Sequence, residues 1–261
     1  MGNFRTYGIK PYNILTLHGG PGAIGELKDV SEKLGTEFGV IEYLQKQPSI
    51  KELKVEIKEI IDNKMKPPVK IVGFSWGAWL TIFFTADYPE LVKSIILISS
   101  GPFDAKYSHS IHQNRIKRMS PKEKDLFYKV QDKFKEGKNV RIKLLNQFVE
   151  LMHKVDAYNF IGNNGSSTNF QINLYKKIWA EAAMLRKENF LLKSLEKIEC
   201  PIKIIHGDYD PHPYQGVIDP IEKLKKDYKV TLLKKCGHTP WREKYAKEEF
   251  YNTLFDYLKN N

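Results

Sequence analysis

Cysteine is nearly absent from this chain of 261 residues: Cys200 and Cys236 alone are too few for a disulfide framework. Cys200 precedes one apolar run and Cys236 follows the next. Parallel strands of about five residues would hold them roughly 15 Å apart, so both are expected to be free thiols. Paired His/Cys spacings are missing too, which argues against a metal centre; His212 with Asp208 and Asp210 is the one conceivable ligand set, and neither metal nor cofactor is expected. Nowhere do roughly 18 apolar residues run together. Met1 to Pro11 lacks an apolar h-region, so the expectation is no membrane span, no secretory leader and a cytoplasmic location. No internal repeat is visible. Charge of one sign is not lacking, since the net charge is +11, but the lysines alternate with acids, as in Lys51-Glu52-Leu53-Lys54. With no cluster of basic and aromatic residues, that charge reads as a solvated surface rather than a nucleic-acid site. A hydrophobic content of 41% suffices for one large core.

What is present is organised around Gly73-Phe74-Ser75-Trp76-Gly77. Pro67-Pro68 stop the preceding segment, Val69 to Val72 read as a short buried strand, and Trp79, Leu80, Ile82, Phe83 and Phe84 give the apolar side of a following helix. Glycines flanking a serine let a strand turn sharply into a helix and lift the serine oxygen clear of the sheet. A serine hydroxyl is a weak nucleophile by itself, so this reading requires a base, an acid to orient it, and donors for the oxyanion formed on attack.

Candidates for each follow other apolar runs. His238, in Cys236-Gly237-His238-Thr239-Pro240-Trp241, comes directly after Val230 to Leu233 and is the base candidate. Asp208 and Asp210 both follow Ile202 to Ile205, and Asp210 is the acid candidate with Asp208 its rival. The order Ser75, Asp210, His238 is that of α/β-hydrolases rather than of the chymotrypsin or subtilisin triads. His18-Gly19-Gly20-Pro21-Gly22 follows Ile14 to Leu17, and its glycines allow backbone N–H groups to approach a substrate. Either Gly19 or Gly20 would complete an oxyanion hole with the N–H of Trp76, and Gly20 is favoured as the third position of H-G-x-P. His18 is expected to brace this loop by hydrogen bonding. Trp179 and Glu181 could touch a substrate, but a Trp in an apolar stripe is more often core and a Glu beside it more often solvated.

HGGPG, a Trp after the nucleophile in GFSWG, HGDYD and GHTPW together resemble the proline iminopeptidase-like branch of the α/β-hydrolase superfamily, over roughly residues 12–101 and 196–261. The H-G-x-x-D spacing of that superfamily is what favours Asp210 over Asp208. The chain departs from iminopeptidases where these place a D-Q-R-G-x-G-like stretch, reading Ile41 to Gln47 instead. It also lacks a convincing match to the cap acids that hold a substrate's free amine.

Alternating strand and helix patterns imply a mostly parallel sheet, and the resemblance makes it an α/β-hydrolase fold. Relatives carry two further strands before HGGPG, whereas only Met1 to Pro11 precede Tyr12 here, so the resemblance implies about six main strands and at most a short extra one. From Gly101-Pro102 to about Leu195 the strand-like runs disappear. Helical patterns take over there, with a loop over 159–169 expected to be mobile because it is rich in Asn, Gly and Ser. The expected organisation is a core of residues 1–101 and 196–261 with a helical cap insertion, 102–195. The expected function is a serine hydrolase cleaving a small carboxylester or amide through an acyl-enzyme on Ser75, His238 and Asp210, with the Gly20 and Trp76 N–H groups as oxyanion donors. The alternatives are an iminopeptidase-like aminopeptidase and a ligand-binding protein of the same fold with little turnover.

Overall fold

The computed structural model describes residues 2–136, 140–162 and 169–260. In chain order the first half runs β1 (Phe4–Tyr7), β2 (Tyr12–Leu17), β3 (Ala23–Ile24), α1 (Lys28–Leu34), β4 (Gly39–Tyr43), α2 (Ile50–Lys64), β5 (Val69–Phe74), α3 (Trp76–Asp87) and β6 (Val92–Ile98). After it come α4 (Ser108–Lys117), α5 (Pro121–Lys135), α6 (Ile142–Asp156), β7 (Asn169–Phe170), α7 (Ile172–Lys187) and α8 (Phe190–Glu196). The chain closes with β8 (Ile202–Gly207), α9 (Gln215–Lys223), β9 (Tyr228–Leu233) and α10 (Lys247–Lys259).

Seven strands form one sheet in the order β1-β4-β2-β5-β6-β8-β9. Every pairing is parallel except that of β1, which runs antiparallel to β4 at the edge. This is the expected α/β architecture, with β1 as the short extra strand. The central strands are continuous apolar runs because both faces are covered. Along β6, Ile95 and Leu97 join the core under α2, α3 and α9, while Ile96 and Ile98 join the opposite core under α1 and α10. Fully burying such a side chain stabilises the fold by about 1.5–3 kcal/mol.

Local chemistry sets the helix starts. Ser49 accepts the Glu52 N–H at 3.3 Å ahead of α2, and a capping box of Ser120 and Glu123 with Pro121 in the first turn opens α5. Four elements escape the sequence reading. Helix α4 has no buried residue, so it carries no apolar stripe; α8 is seven residues long; and β3 and β7 are two-residue strands that pair with each other. The β3–β7 pair corrects the expectation that strand structure disappears between residues 102 and 195, and it ties that segment to the chain just past the Gly19-Gly20 loop.

The helical segment between β6 and β8 buries its apolar residues in two places. Met119, Phe127, Leu151 and Val155 make a small core of their own, whereas Leu174, Ile178 and Ala182 of α7 and Leu191 and Leu195 of α8 pack into the core under α2 and α3. The loop expected over 159–169 falls mostly on residues 163–168, which lie outside the described residues. Its beginning is fixed: Ile161 N–H donates to Arg242 O at 2.8 Å and Lys244 N–H to Asn159 O at 3.0 Å. Among the described residues no helix is long and apolar enough to cross a membrane. Cys200 and Cys236 are both free.

Candidate active site

Parallel strands present their carboxyl ends along one edge, where the loops of an open α/β sheet converge. The Gly19-Gly20 loop leaves β2, Ser75 follows β5, Asp210 follows β8 and His238 follows β9. Loops as far apart in sequence as those of Gly19 and His238 are thereby gathered to one edge.

Ser75 has φ 52° and ψ −113°, a conformation a non-glycine residue holds only under constraint. The constraint is visible in its neighbours. A Cβ on Gly77 would lie 2.1 Å from the carbonyl oxygen of Leu17, so only glycine lets α3 start this close to the end of β2. Ser75 N–H in turn donates to Ile98 O at 2.9 Å. The turn holds the hydroxyl out toward His238, whose Nε2 is 3.0 Å from Ser75 Oγ.

His238 Nδ1 is 2.7 Å from Asp210 Oδ2. Burial works against charge on the His238 ring, but the Asp210 carboxylate outweighs it, aided by Asp156, and its pKa is raised from 6.5. Burial alone would raise the Asp210 pKa. The His238 and His212 imidazoles overcome that and hold the carboxyl well below its ordinary range. Asp208 stands apart, its Oδ1 accepting the Cys236 N–H at 3.3 Å and its Oδ2 lying 3.9 Å from Lys234 Nζ. Of the two aspartates, Asp210 is therefore the one brought to His238.

A second imidazole meets Asp210, from a residue considered above only as a conceivable metal ligand. His212 Nδ1 lies 2.7 Å from Asp210 Oδ1, and the His212 backbone N–H donates to the same oxygen at 2.9 Å. The rings of His212 and His238 are 4.4 Å apart. Burial pushes the His212 pKa down to about 4, so it serves Asp210 as a neutral donor. Asp210, His212 and His238 also place one ligand atom each within 4.8 Å of one another, although Asp208, part of the ligand set considered from sequence, is not among them. Both Nδ1 atoms are already engaged by the carboxylate, which accounts for the cluster as a hydrogen-bonded unit.

Two backbone N–H groups occupy the positions expected of the oxyanion donors. Trp76 opens α3, where the first N–H groups have no partner within the helix and the helix dipole favours negative charge. Gly20, at φ 25°, follows a carbonyl that is held fast: His18 Nδ1 lies 2.8 Å from Gly19 O. Among the described residues neither the Gly20 nor the Trp76 N–H donates to a protein acceptor. His18 thus braces the loop, as expected. Close by, burial raises the Glu26 carboxyl to about 7, partly offset by His238 and Arg242.

The base loop is tied to the helical segment. His238 N–H donates to Asp156 O at 2.8 Å, and the Asp156 carboxylate is held by Arg115 through bonds of 2.7 and 2.5 Å. The buried Glu243 carboxylate accepts N–H groups from Gly237 (2.8 Å), Tyr158 (2.8 Å) and Asn159 (2.7 Å). Trp241 packs edge-on against Phe74 at 4.7 Å, the packing role expected of it. Trp179 stacks on Trp79 at 5.7 Å and on Tyr175 at 6.2 Å, in line with a packing role. Glu181 is not merely solvated: its Oε2 accepts the Ile50 N–H at 3.0 Å, at the start of α2.

A family model described as alpha/beta hydrolase fold matches residues 49–244, which include Ser75, Asp210 and His238 but not the Gly19-Gly20 loop. Ethanol acetyltransferase 1 of Cyberlindnera fabianii is 26% identical over 173 residues, covering 60% of this chain and 50% of that protein. The chain thus spans about half the length of that relative. The crystal structure of VinJ superposes with a TM-score of 0.72 at 16% identity, covering 98% of this chain and 94% of that one. Proline iminopeptidase of Mycobacterium smegmatis superposes with a TM-score of 0.65 at 14% identity, covering 98% and 93%. Both structural likenesses concern the fold.

Proposed function

The chain belongs to the alpha/beta hydrolase fold family, and from that premise we propose that it is a serine hydrolase working by acyl transfer on a small carboxylester or amide. The observation that carries this reading is the file from Ser75 Oγ through the His238 ring to Asp210, with contacts of 3.0 and 2.7 Å. Ser75 attacks the carbonyl while His238 Nε2 takes its proton. Asp210 fixes the imidazole tautomer and stabilises the imidazolium that forms. The N–H groups of Gly20 and Trp76 receive the oxyanion, helped by the positive end of α3. His238 then returns the proton to the leaving group, and water releases the acyl chain. Residues 102–195 act in this reading as a cap over Ser75 that sets substrate size. No metal or cofactor enters any step.

One oxygen of Glu181 is committed to the Ile50 N–H at the start of α2, so this residue lends the aminopeptidase reading no support. A second reading has support from the acetyltransferase relative: the same acyl-enzyme could be resolved by an alcohol in place of water.

The test is a panel of p-nitrophenyl esters beside aminoacyl p-nitroanilides, with ethanol added in a parallel series. Short-chain esters should be cleaved, and ethyl ester should form with ethanol if the second reading holds. His238 is a base only when neutral and its pKa is raised from 6.5, so kcat/KM should rise with pH through a midpoint above 6.5. The midpoint should persist in Glu26→Gln, which removes the neighbouring group near 7. Absence of turnover across the whole panel would contradict the proposal.

A further inference from the structure

The oxyanion donors lie about 56 residues apart in sequence, one in the Gly19-Gly20 loop and one at the start of α3, and an oxyanion hole works only when its donors are fixed before charge develops. One buried side chain touches both segments. Gln45 lies just past β4, fully enclosed, in the stretch where the chain departs from the iminopeptidase pattern. Its Nε2 donates to His18 O at 2.9 Å, its Oε1 accepts the Trp76 indole N–H at 2.8 Å, and its backbone N–H donates to His18 Nε2 at 3.3 Å. On these contacts, and resting on the hydrolase reading above, we propose that Gln45 is a positioning residue that sets both oxyanion donors at once.

The chain of constraint can be followed atom by atom. Because His18 Nε2 accepts a hydrogen bond, the ring proton of the neutral imidazole must sit on Nδ1. Burial pushes the His18 pKa down to about 4, which keeps the ring neutral. Nδ1–H then donates to Gly19 O at 2.8 Å. The peptide joining Gly19 and Gly20 is planar and trans, so a carbonyl fixed on one side fixes the Gly20 N–H on the opposite side. On the other arm, the indole bond to Oε1 fixes the Trp76 side chain and, through it, the first turn of α3 that carries the Trp76 backbone N–H. A primary amide supplies a donor and an acceptor from one end. Glutamate could keep the Trp76 bond but not donate to His18 O, and methionine could make neither; both keep the backbone N–H bond to His18 Nε2, so the side chain's own hold on the loop is its bond to His18 O, in the peptide that leads into Gly19.

Misplacing a catalytic group by about 1 Å can cost roughly 100-fold in rate, which sets the scale of the test. In Gln45→Met, kcat for a p-nitrophenyl ester should fall by roughly 10- to 100-fold with KM nearly unchanged, since the lost contacts matter only in the transition state. Binding of a trifluoromethyl ketone, which forms a tetrahedral adduct on Ser75 and places an oxyanion in the hole, should weaken by a similar factor. The pH midpoint should stay where it is, because His238 is untouched. Gln45→Glu should lie between Gln45→Met and wild type. Trp76→Phe removes one arm only, and adding it to Gln45→Met should cost nothing further in kcat. Unchanged kcat and ketone affinity in a folded Gln45→Met would overturn the proposal, as would a rise in KM at constant kcat. Should Gln45→Met fail to fold, Trp76→Phe decides: lowered kcat supports the clamp and unchanged kcat overturns it. If wild type neither cleaves esters nor binds the ketone, the hydrolase reading itself falls; equal behaviour of active wild type and variants removes only the role of Gln45.

Discussion

Asp210→Asn should lower kcat by about three to four orders of magnitude on a p-nitrophenyl ester while leaving the melting temperature within a few degrees of wild type. The carboxylate now accepts from two imidazoles, His238 on one oxygen and His212 on the other, each at 2.7 Å. An amide has a single acceptor oxygen, so its NH2 must face one of the two rings. If that ring is His238, its proton is driven to Nε2 and the base can no longer receive the proton of Ser75. If that ring is His212, the second brace on residue 210 is lost, and the neutral amide still cannot stabilise an imidazolium at 238. Asp208→Asn should change kcat only a few-fold, since the Asp208 contacts are a 3.3 Å bond to Cys236 N and a lysine at 3.9 Å. The reverse ranking of the two variants would show that the acid has been misassigned.

Glu243→Ala should be the most damaging change for stability among the residues around the site, by about 3 kcal/mol or more, read as a fall in the urea midpoint at constant m-value. The reason is the number of donors it would orphan. Gly237, Tyr158 and Asn159 all direct backbone N–H groups at this buried carboxylate, and leaving buried donors unsatisfied costs far more than the net value of one bond. Glu243→Gln keeps the acceptor that serves Gly237 and Tyr158, so its loss should be smaller. Because the same contacts hold the base loop against residues 156–161, a stable Glu243→Ala with wild-type midpoint would mean that the two segments are held together by packing alone. Glu243 also bears on the proposed cap: with this many bonds to the base loop, the beginning of the segment at 156–161 is anchored, so any opening over Ser75 must come from other parts of residues 102–195.

Legibility in the sequence followed the reach of the signal. The strand ends that carry Ser75, Asp210 and His238 could be read because each sits on a short glycine-containing turn after an apolar run, a local pattern with a steric cause. The sheet was legible for the same reason, since strands buried on both faces are continuous apolar runs. Helix α4 was not, because its residues are nowhere fully buried and therefore show no apolar spacing. The pair β3 and β7 was too short for any period to register. His212, two residues from its partner Asp210, was read only as a conceivable metal ligand; Gln45 and Glu243 escaped for another reason. Their partners lie on loops distant in sequence, such as Tyr158, 85 residues from Glu243, and nothing adjacent to them in the chain marks the contact. Gln45 left one trace, a departure from the iminopeptidase pattern at the end of β4, without any indication of what the glutamine would hold.

The central claim is that Ser75 is a nucleophile made reactive by His238 and Asp210, and the most direct measurement is covalent labelling of the intact protein with a fluorophosphonate. One adduct per chain is expected by intact mass, located to the peptide containing Gly73-Phe74-Ser75-Trp76-Gly77 and absent from Ser75→Ala, with labelling slowed steeply in Asp210→Asn. A folded protein that takes up no label, or takes it up at a different serine, would contradict the claim.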